Sequence, residues 1–181
     1  MNVLLGVSGS VAATLTPKLQ RAIEVKYKLR TVITESTKHF IKAKTLGDCW
    51  KRYYEDDEEW TTYEYDQTVL HIDLVKWADV LVIAPCTANT LAKIANGICD
   101  NLLTNCVRAW DLKKPMFIAP AMNCVMWNNP ITKKHCVTLA EMGIGFVMPQ
   151  SKKLYCGDEG IGAMAEINDI VEMIDYIKEK C

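Results

Sequence analysis

Apolar positions fall in short unbroken runs separated by stretches of helical spacing. Asn2 to Val7 is one such run, and after Gly6-Val7-Ser8-Gly9-Ser10 the apolar residues Val11, Leu15, Leu19, Ala22 and Ile23 recur at helical intervals, which predicts strand, tight turn, helix. Pro17 leaves two forms open: a kinked helix, or a regular helix that starts with Thr16 as cap and Pro17 at its first position. Leu29 to Thr34 predicts a second strand, and Glu35-Ser36-Thr37 suits the opening of a helix. From His71 the pattern predicts a short helix to Trp77, a buried strand Val80 to Ala84 and a helix across Leu91, Ile94 and Ala95. A strand Met116 to Ala119, a helix Ile131 to Met142 and a strand Gly145 to Met148 follow. The last helix carries Ile167, Ile170, Val171, Ile174 and Ile177 on one stripe. Continuous apolar strands alternating with helices predict an α/β fold, a three-layer Rossmann-like or flavodoxin-like arrangement with a parallel sheet and helices on both faces.

Thr45 to Thr68 breaks this rhythm. Its acidic run Glu55-Asp56-Asp57-Glu58-Glu59 lies among Trp50, Tyr53, Tyr54 and Trp60, and reads as an excursion, partly strand, whose charges solvate a loop anchored by aromatics rather than form a recognition surface. No repeat, low-complexity segment or linker interrupts the chain, so residues 1–181 are expected to form one domain, a length that buries a real core.

Composition narrows the function classes. The formal net charge of −1, with scattered basic residues, offers no footprint for nucleic acid. No apolar run has the length of a membrane span and no charged leader precedes the first strand, so a cytoplasmic location without membrane contact is expected. The 8 cysteines form no C-x-x-C pair and lie mostly in apolar stretches, which predicts reduced thiols. His39, His71 and His135 have no metal-ligand spacing, so no metal site is expected.

In a parallel sheet of this kind, ligands bind beyond the carboxyl ends of the strands. Gly6 to Ser10 would let backbone N–H groups and a helix start approach an anion, although it is neither a Walker sequence nor G-x-G-x-x-G, and a plain tight turn fits it as well. At Pro85-Cys86-Thr87-Ala88-Asn89-Thr90 three polar side chains exceed what one helix cap needs. Pro120-Ala121-Met122-Asn123, followed by Met126-Trp127, places an amide beside a small-residue corner, where it equally satisfies a turn.

These stretches, with Val69-Leu70-His71-Ile72-Asp73-Leu74, Cys99-Asp100-Asn101-Leu102-Leu103-Thr104, Cys156-Gly157-Asp158 and Gly162-Ala163-Met164-Ala165-Glu166, resemble the flavin-containing cysteine decarboxylase family, and most closely its branch acting on phosphopantothenoylcysteine. The resemblance covers nearly the whole chain. It implies FMN as cofactor and a homotrimer with flavin sites at subunit interfaces. Gly9, Ser10, Thr34, Phe40, Thr87, Asn89, Thr90 and Ala121 resemble FMN-contacting positions, with Met126 contributing across an interface. His71 resembles the base of the early steps, whose neutral form a helix start would favour. Cys156 resembles the acid that protonates an enethiol intermediate, set in a flap containing Gly157, Gly160 and Gly162. Asn123 resembles the residue that holds the substrate carboxylate, and Lys153, Leu154 and Tyr155 a substrate clamp. Lys76 stands where relatives carry paired arginines and offers a point charge without their bidentate fork. Cys86 departs from the pattern and has no assigned role. A peptidyl-cysteine oxidative decarboxylase lacks the final reduction, a phosphatase-regulating member of the family usually carries acidic extensions, and a generic NAD-binding domain carries the missing glycine fingerprint.

Overall fold

The computed structural model describes residues 1–41, 53–61, 69–153 and 159–180. Six parallel strands form one sheet in the order β3-β2-β1-β4-β5-β6, built from β1 (Asn2–Val7), β2 (Lys28–Ile33), β3 (Tyr53–Tyr54), β4 (Val80–Cys86), β5 (Met116–Pro120) and β6 (Gly145–Phe146). The strand order reverses its progression between β1 and β4, the place where a doubly wound sheet opens a crevice.

Alternate residues of each central strand face opposite layers. Val3, Leu5, Val7, Val80, Val82, Phe117 and Ala119 pack with Leu19 and Ile23 of α1 (Thr16–Glu24) and with Ile170 and Ile174 of the C-terminal helix. Leu4, Leu81, Ile83, Met116 and Ile118 pack against α3 (Leu70–Trp77), α4 (Ala88–Ala95), α5 (Leu102–Arg108) and α7 (Pro130–Glu141). Each fully buried aliphatic side chain contributes about 1.5–3 kcal/mol, so a sheet covered on both faces is the stable arrangement for strands this apolar. The predicted layers and parallel sheet are present.

Pro17 is settled in favour of a regular start: α1 opens at Thr16, one residue earlier than the capped form, and a 3-10 turn at Val11–Leu15 leads into it. Glu35–His39 is likewise a 3-10 turn. The strand expected at Gly145 to Met148 is ladder-paired only over Gly145–Phe146, although Val147 still donates to Ile118 O at 2.9 Å.

The acidic run corrects the expectation of a solvated loop. Tyr53 and Tyr54 pair in parallel with Thr31 and Val32, and Asp56–Thr61 is a short helix, α2. Asp56 accepts from Leu102 N at 2.8 Å, Glu55 pairs with Lys38 at 2.7 Å, and Glu59 is 5 % exposed. Four acidic residues in the first turn complement the helix dipole, which gives the run a local reason to be helical.

Beyond the sheet, α6 (Cys124–Asn128) precedes α7, and an antiparallel pair β7 (Gln150–Lys153) with β8 (Glu159–Ala163) precedes α8 (Ile167–Lys180). Periodicity had not indicated α5, α6 or this hairpin.

Candidate functional site

The loops after β1, β2, β4 and β5 meet along one edge of the sheet because their backbones are bonded to one another. Buried Ser8 donates through Oγ to Pro85 O at 2.9 Å and accepts from Thr87 N at 2.8 Å, locking the β1 and β4 junctions together. Thr34 N and the Thr37 hydroxyl both donate to Val7 O, at 3.0 and 2.9 Å, which draws in the β2 junction. Ala121 N donates to Cys86 O at 2.8 Å and adds β5. Gly9, Ser10, Thr34, Thr87, Asn89, Thr90 and Ala121 are therefore brought to a single edge.

Side-chain size at this edge is held small. A Cβ on Gly9 would lie 2.5 Å from the backbone carbonyl of Ser36, so only glycine fits where the two turns press together. Ser10 Oγ accepts from Ala12 N at 3.1 Å, and the Thr34, Ser36 and Thr37 hydroxyls are linked at 3.0 and 3.1 Å. Thr87 caps α4 by accepting from Thr90 N and donates to the Thr90 hydroxyl at 3.2 Å, while Asn89 stands exposed beside them. Capping thus employs Thr87 and Thr90 but leaves Asn89 without that explanation. Small hydroxyls, an amide and a close backbone turn form the donor set that suits a phosphate ester and a polar ring edge. The residues present fit FMN. Phe40 follows the 3-10 turn after β2 and is 37 % exposed.

After β5, Asn123 caps α6, its Oδ1 accepting from Val125 N at 2.8 Å. Its loop carries the hairpin: Met122 N donates to Gly162 O at 2.9 Å, and a Cβ on Gly162 would stand 2.3 Å from Met122 O. Gly160 presses on Cys124, where a Cβ would lie 2.9 Å from the Cys124 Cβ. Both flap glycines within the described residues thus permit close docking of β8 on the Asn123 loop. Met126 is 48 % exposed on α6, next to Val125 at 72 %.

His71 lies in the first turn of α3, whose other end is fastened to the start of β1 by Asn2 Nδ2 donating to Trp77 O at 2.8 Å. Its first turn therefore points toward the edge that carries the other residues. Glu59 holds it at two points: Oε2 accepts from His71 N at 3.2 Å and Oε1 lies 2.5 Å from His71 Nδ1. Sequence reasoning did not single out Glu59, since nothing in a run of five acids distinguishes the one that turns inward.

Lys76 is exposed near the far end of α3, by the sheet's opposite edge, so within one chain it does not join the group. Lys153 ends β7, while Leu154, Tyr155 and Cys156 lie outside the described residues. Cys86 is wholly buried and burial pushes its thiol far up, consistent with a packing role. The described cysteines Cys86, Cys99, Cys106, Cys124 and Cys136 are all free. Among the described residues no group of acidic, histidine and cysteine side chains is placed to hold a metal, and no helix is long and apolar enough to cross a membrane. Two clefts of about 400 and 340 Å³ lie elsewhere, one beside β2 and β3 and lined by Gln20, Arg30 and Tyr54, the other between α4 and α5.

Known proteins share this arrangement. A phosphopantothenoylcysteine decarboxylase of Oryza sativa subsp. japonica is 53% identical over 165 residues, covering 91% of this chain and 74% of its own. A solved PPC decarboxylase, a cysteine-to-serine variant complexed with pantothenoylaminoethenethiol, superposes with a TM-score of 0.93 at 47% identity, covering 98% of both chains. The FMN binding protein AtHal3 superposes at 0.90 with 47% identity, covering 99% of this chain and 97% of its own. With residues 1–178 matching the family model, the chain belongs to the Flavoprotein family.

Proposed function

We propose that the chain is an FMN-dependent decarboxylase that converts 4′-phosphopantothenoyl-L-cysteine to 4′-phosphopantetheine in coenzyme A biosynthesis, acting as a cytoplasmic homotrimer. The observation that carries this is the near-complete superposition on a PPC decarboxylase, joined to convergence of the β1, β2, β4 and β5 junctions on one edge. Exposed Val125 and Met126 on α6 supply an apolar surface that a neighbouring subunit would cover.

A cysteine carboxylate loses CO₂ with difficulty because the carbanion left behind has no electron sink. When bound, FMN would supply reversible hydride chemistry at the thiol-bearing carbon, so the reaction would have no net oxidation. The chain's residues do the rest. Gly9, Ser10, Thr34, Phe40, Thr87, Asn89, Thr90 and Ala121 hold the cofactor. His71 takes the thiol proton as the carbon becomes a thioaldehyde, whose carbonyl-like sulfur accepts the electron pair released with CO₂. Asn123 orients the departing carboxylate with an amide, which avoids the ground-state stabilisation a cation would bring. Cys156 supplies the proton when the enethiol is reduced to a saturated thiol, and Lys153, Leu154 and Tyr155 clamp the substrate. Lys76 serves this site only from a neighbouring subunit.

The peptidyl-cysteine reading ends at the enethiol. Purified protein should be yellow and should release CO₂ from the phosphorylated substrate to give the saturated thiol. Cys156→Ser should accumulate an oxidised, decarboxylated intermediate. A protein that takes up no FMN overturns the reading, and an enethiol as final product of the unaltered protein favours the peptidyl-cysteine class.

A further inference from the structure

The pairing of Glu59 with His71 is absorbed by no part of the reading so far. Glu59 belongs to α2, twelve residues before His71, and the two side chains are 4% and 23% exposed. One carboxylate serves two donors on the same residue, the backbone N–H at 3.2 Å and ring Nδ1 at 2.5 Å. Two bonds to one residue fix both where the helix begins and how the ring is turned about χ1 and χ2. An ionised carboxylate has only acceptors to offer, so Nδ1 carries the proton whether the ring is neutral or charged. The basic lone pair of the neutral ring is then confined to Nε2.

The surroundings hold Glu59 in place. Asp56 on the same helix accepts from Leu102 N at 2.8 Å, and Lys38 bridges Glu35 and Glu55 at 2.7 Å each. The Cys106 thiol on α5 stands close enough that the Glu59 charge, after burial itself, helps push it upward. Val69, at the cap position of α3, gives no side-chain bond, so Glu59 also acts as a cap supplied from another element.

We propose that Glu59 is the positioning residue for His71, receiving Nδ1–H so that Nε2 is the atom that takes the substrate thiol proton. The inference rests on the reading of His71 as base. In the step it serves, the S–H bond breaks toward Nε2 and the sulfur electron pair forms the C=S bond as hydride leaves the adjacent carbon for the bound cofactor. No electron or proton is left unassigned.

Glu59→Gln tests this, because the amide keeps the volume and offers an N–H₂ that favours a proton on Nε2 instead. In ¹⁵N-histidine NMR of the FMN-free protein, His71 should show Nδ1 protonated and Nε2 bare, and Glu59→Gln should invert or mix the two. With FMN bound, anaerobic flavin reduction by substrate should slow by about a hundredfold or more in Glu59→Gln, the range of a lost general base, while FMN affinity changes less than about threefold. His71→Asn is run beside it. If His71→Asn reduces flavin at the normal rate, the reading of His71 as base fails. If His71→Asn is inactive while Glu59→Gln reduces flavin at full rate, the role of Glu59 alone is overturned. Should Glu59→Gln not fold, the tautomer of the unaltered protein decides: a proton on Nε2 in the neutral ring overturns the proposal.

Discussion

Replacing Gly162 by alanine separates close docking from ordinary strand preference. A glycine inside a strand usually gains from alanine, by about 0.4–1 kcal/mol, because the unfolded chain loses freedom. At Gly162 the added Cβ would stand 2.3 Å from Met122 O, 3.2 Å from Cys124 N and 3.3 Å from the Asn123 carbonyl carbon. All three are backbone atoms of the loop that carries Asn123, and none can swing aside as a side-chain tip would. Overpacking of this sort costs about 1–3 kcal/mol, and the displacement also strains the 2.9 Å bond from Met122 N to Gly162 O. The expected net is a loss of about 1–2 kcal/mol in urea unfolding, or roughly 2–8 °C in Tm for a chain of this size. Gly145→Ala is the matched control, since its Cβ would meet Phe117 Cβ at 3.4 Å and Met116 O at 3.7 Å, ordinary contacts. It should match the unaltered protein or gain up to about 1 kcal/mol. In the FMN-loaded protein Gly162→Ala should also slow decarboxylation more than it weakens FMN binding, because Asn123 moves while the β1 and β4 junctions do not. If Gly162→Ala is as stable as Gly145→Ala, the hairpin does not dock as described.

Two further outcomes follow from particular bonds. Ser8→Ala strips a fully buried hydroxyl and leaves Thr87 N without its acceptor, while Pro85 O keeps the Ser8 backbone N–H at 3.1 Å, so it should cost about 1–3 kcal/mol by urea unfolding and weaken FMN uptake, read by quenching of flavin fluorescence. Asp175 accepts from Lys26 at 2.7 Å and from the Tyr27 hydroxyl at 2.5 Å, and these donors, Lys26 first, hold its carboxyl below the usual range. A carboxyl whose pKa is lower in the folded chain adds stability that is present above its unfolded value and lost as pH falls through the folded one. Tyr27→Phe should therefore destabilise the protein at neutral pH and converge with the unaltered protein in the acid region, as followed by urea midpoints from about pH 7 to below about pH 2. A difference that stays constant across that range would remove Asp175 from the account.

The layers were legible because period and burial agree. β1, β4 and β5 are covered on both faces and read as unbroken apolar runs, while Ile170 and Ile174 mark the buried side of α8. The shared edge was legible for another reason: its residues sit directly after strands, and the topology of a parallel sheet sends every such junction to one side. What escaped were features decided between distant segments. α5 is a seven-residue helix whose capping box, Asn101 with Thr104, was on view, yet its apolar spacing is too short to register as a period. The hairpin's strands carry polar and glycine residues because they dock on a loop rather than enter the core. In the acidic run, charge composition argued for solvation, and composition has no access to which carboxylate finds a buried donor.

The same reasoning explains how the helix bearing His71 stays in place. Eight residues are too few for a helix to be stable alone in water, and α3 lacks a side-chain cap of its own. Its apolar hold comes from Leu74 and Val75 beneath it. Its ends are fixed by charges from elsewhere: the Glu59 carboxylate at the first turn, and Lys114 Nζ donating to Val75 O at 3.0 Å and Ala78 O at 2.8 Å at the last. A carboxylate at the positive end and an ammonium at the negative end each oppose the helix dipole with the favourable sign. Lys114 reaches α3 from the turn just before β5, and Glu59 from α2, which follows β3. The histidine's position is thus set by connections on both sides of the β1–β4 crevice, so His71 is referenced to the same strands whose junctions meet at the shared edge.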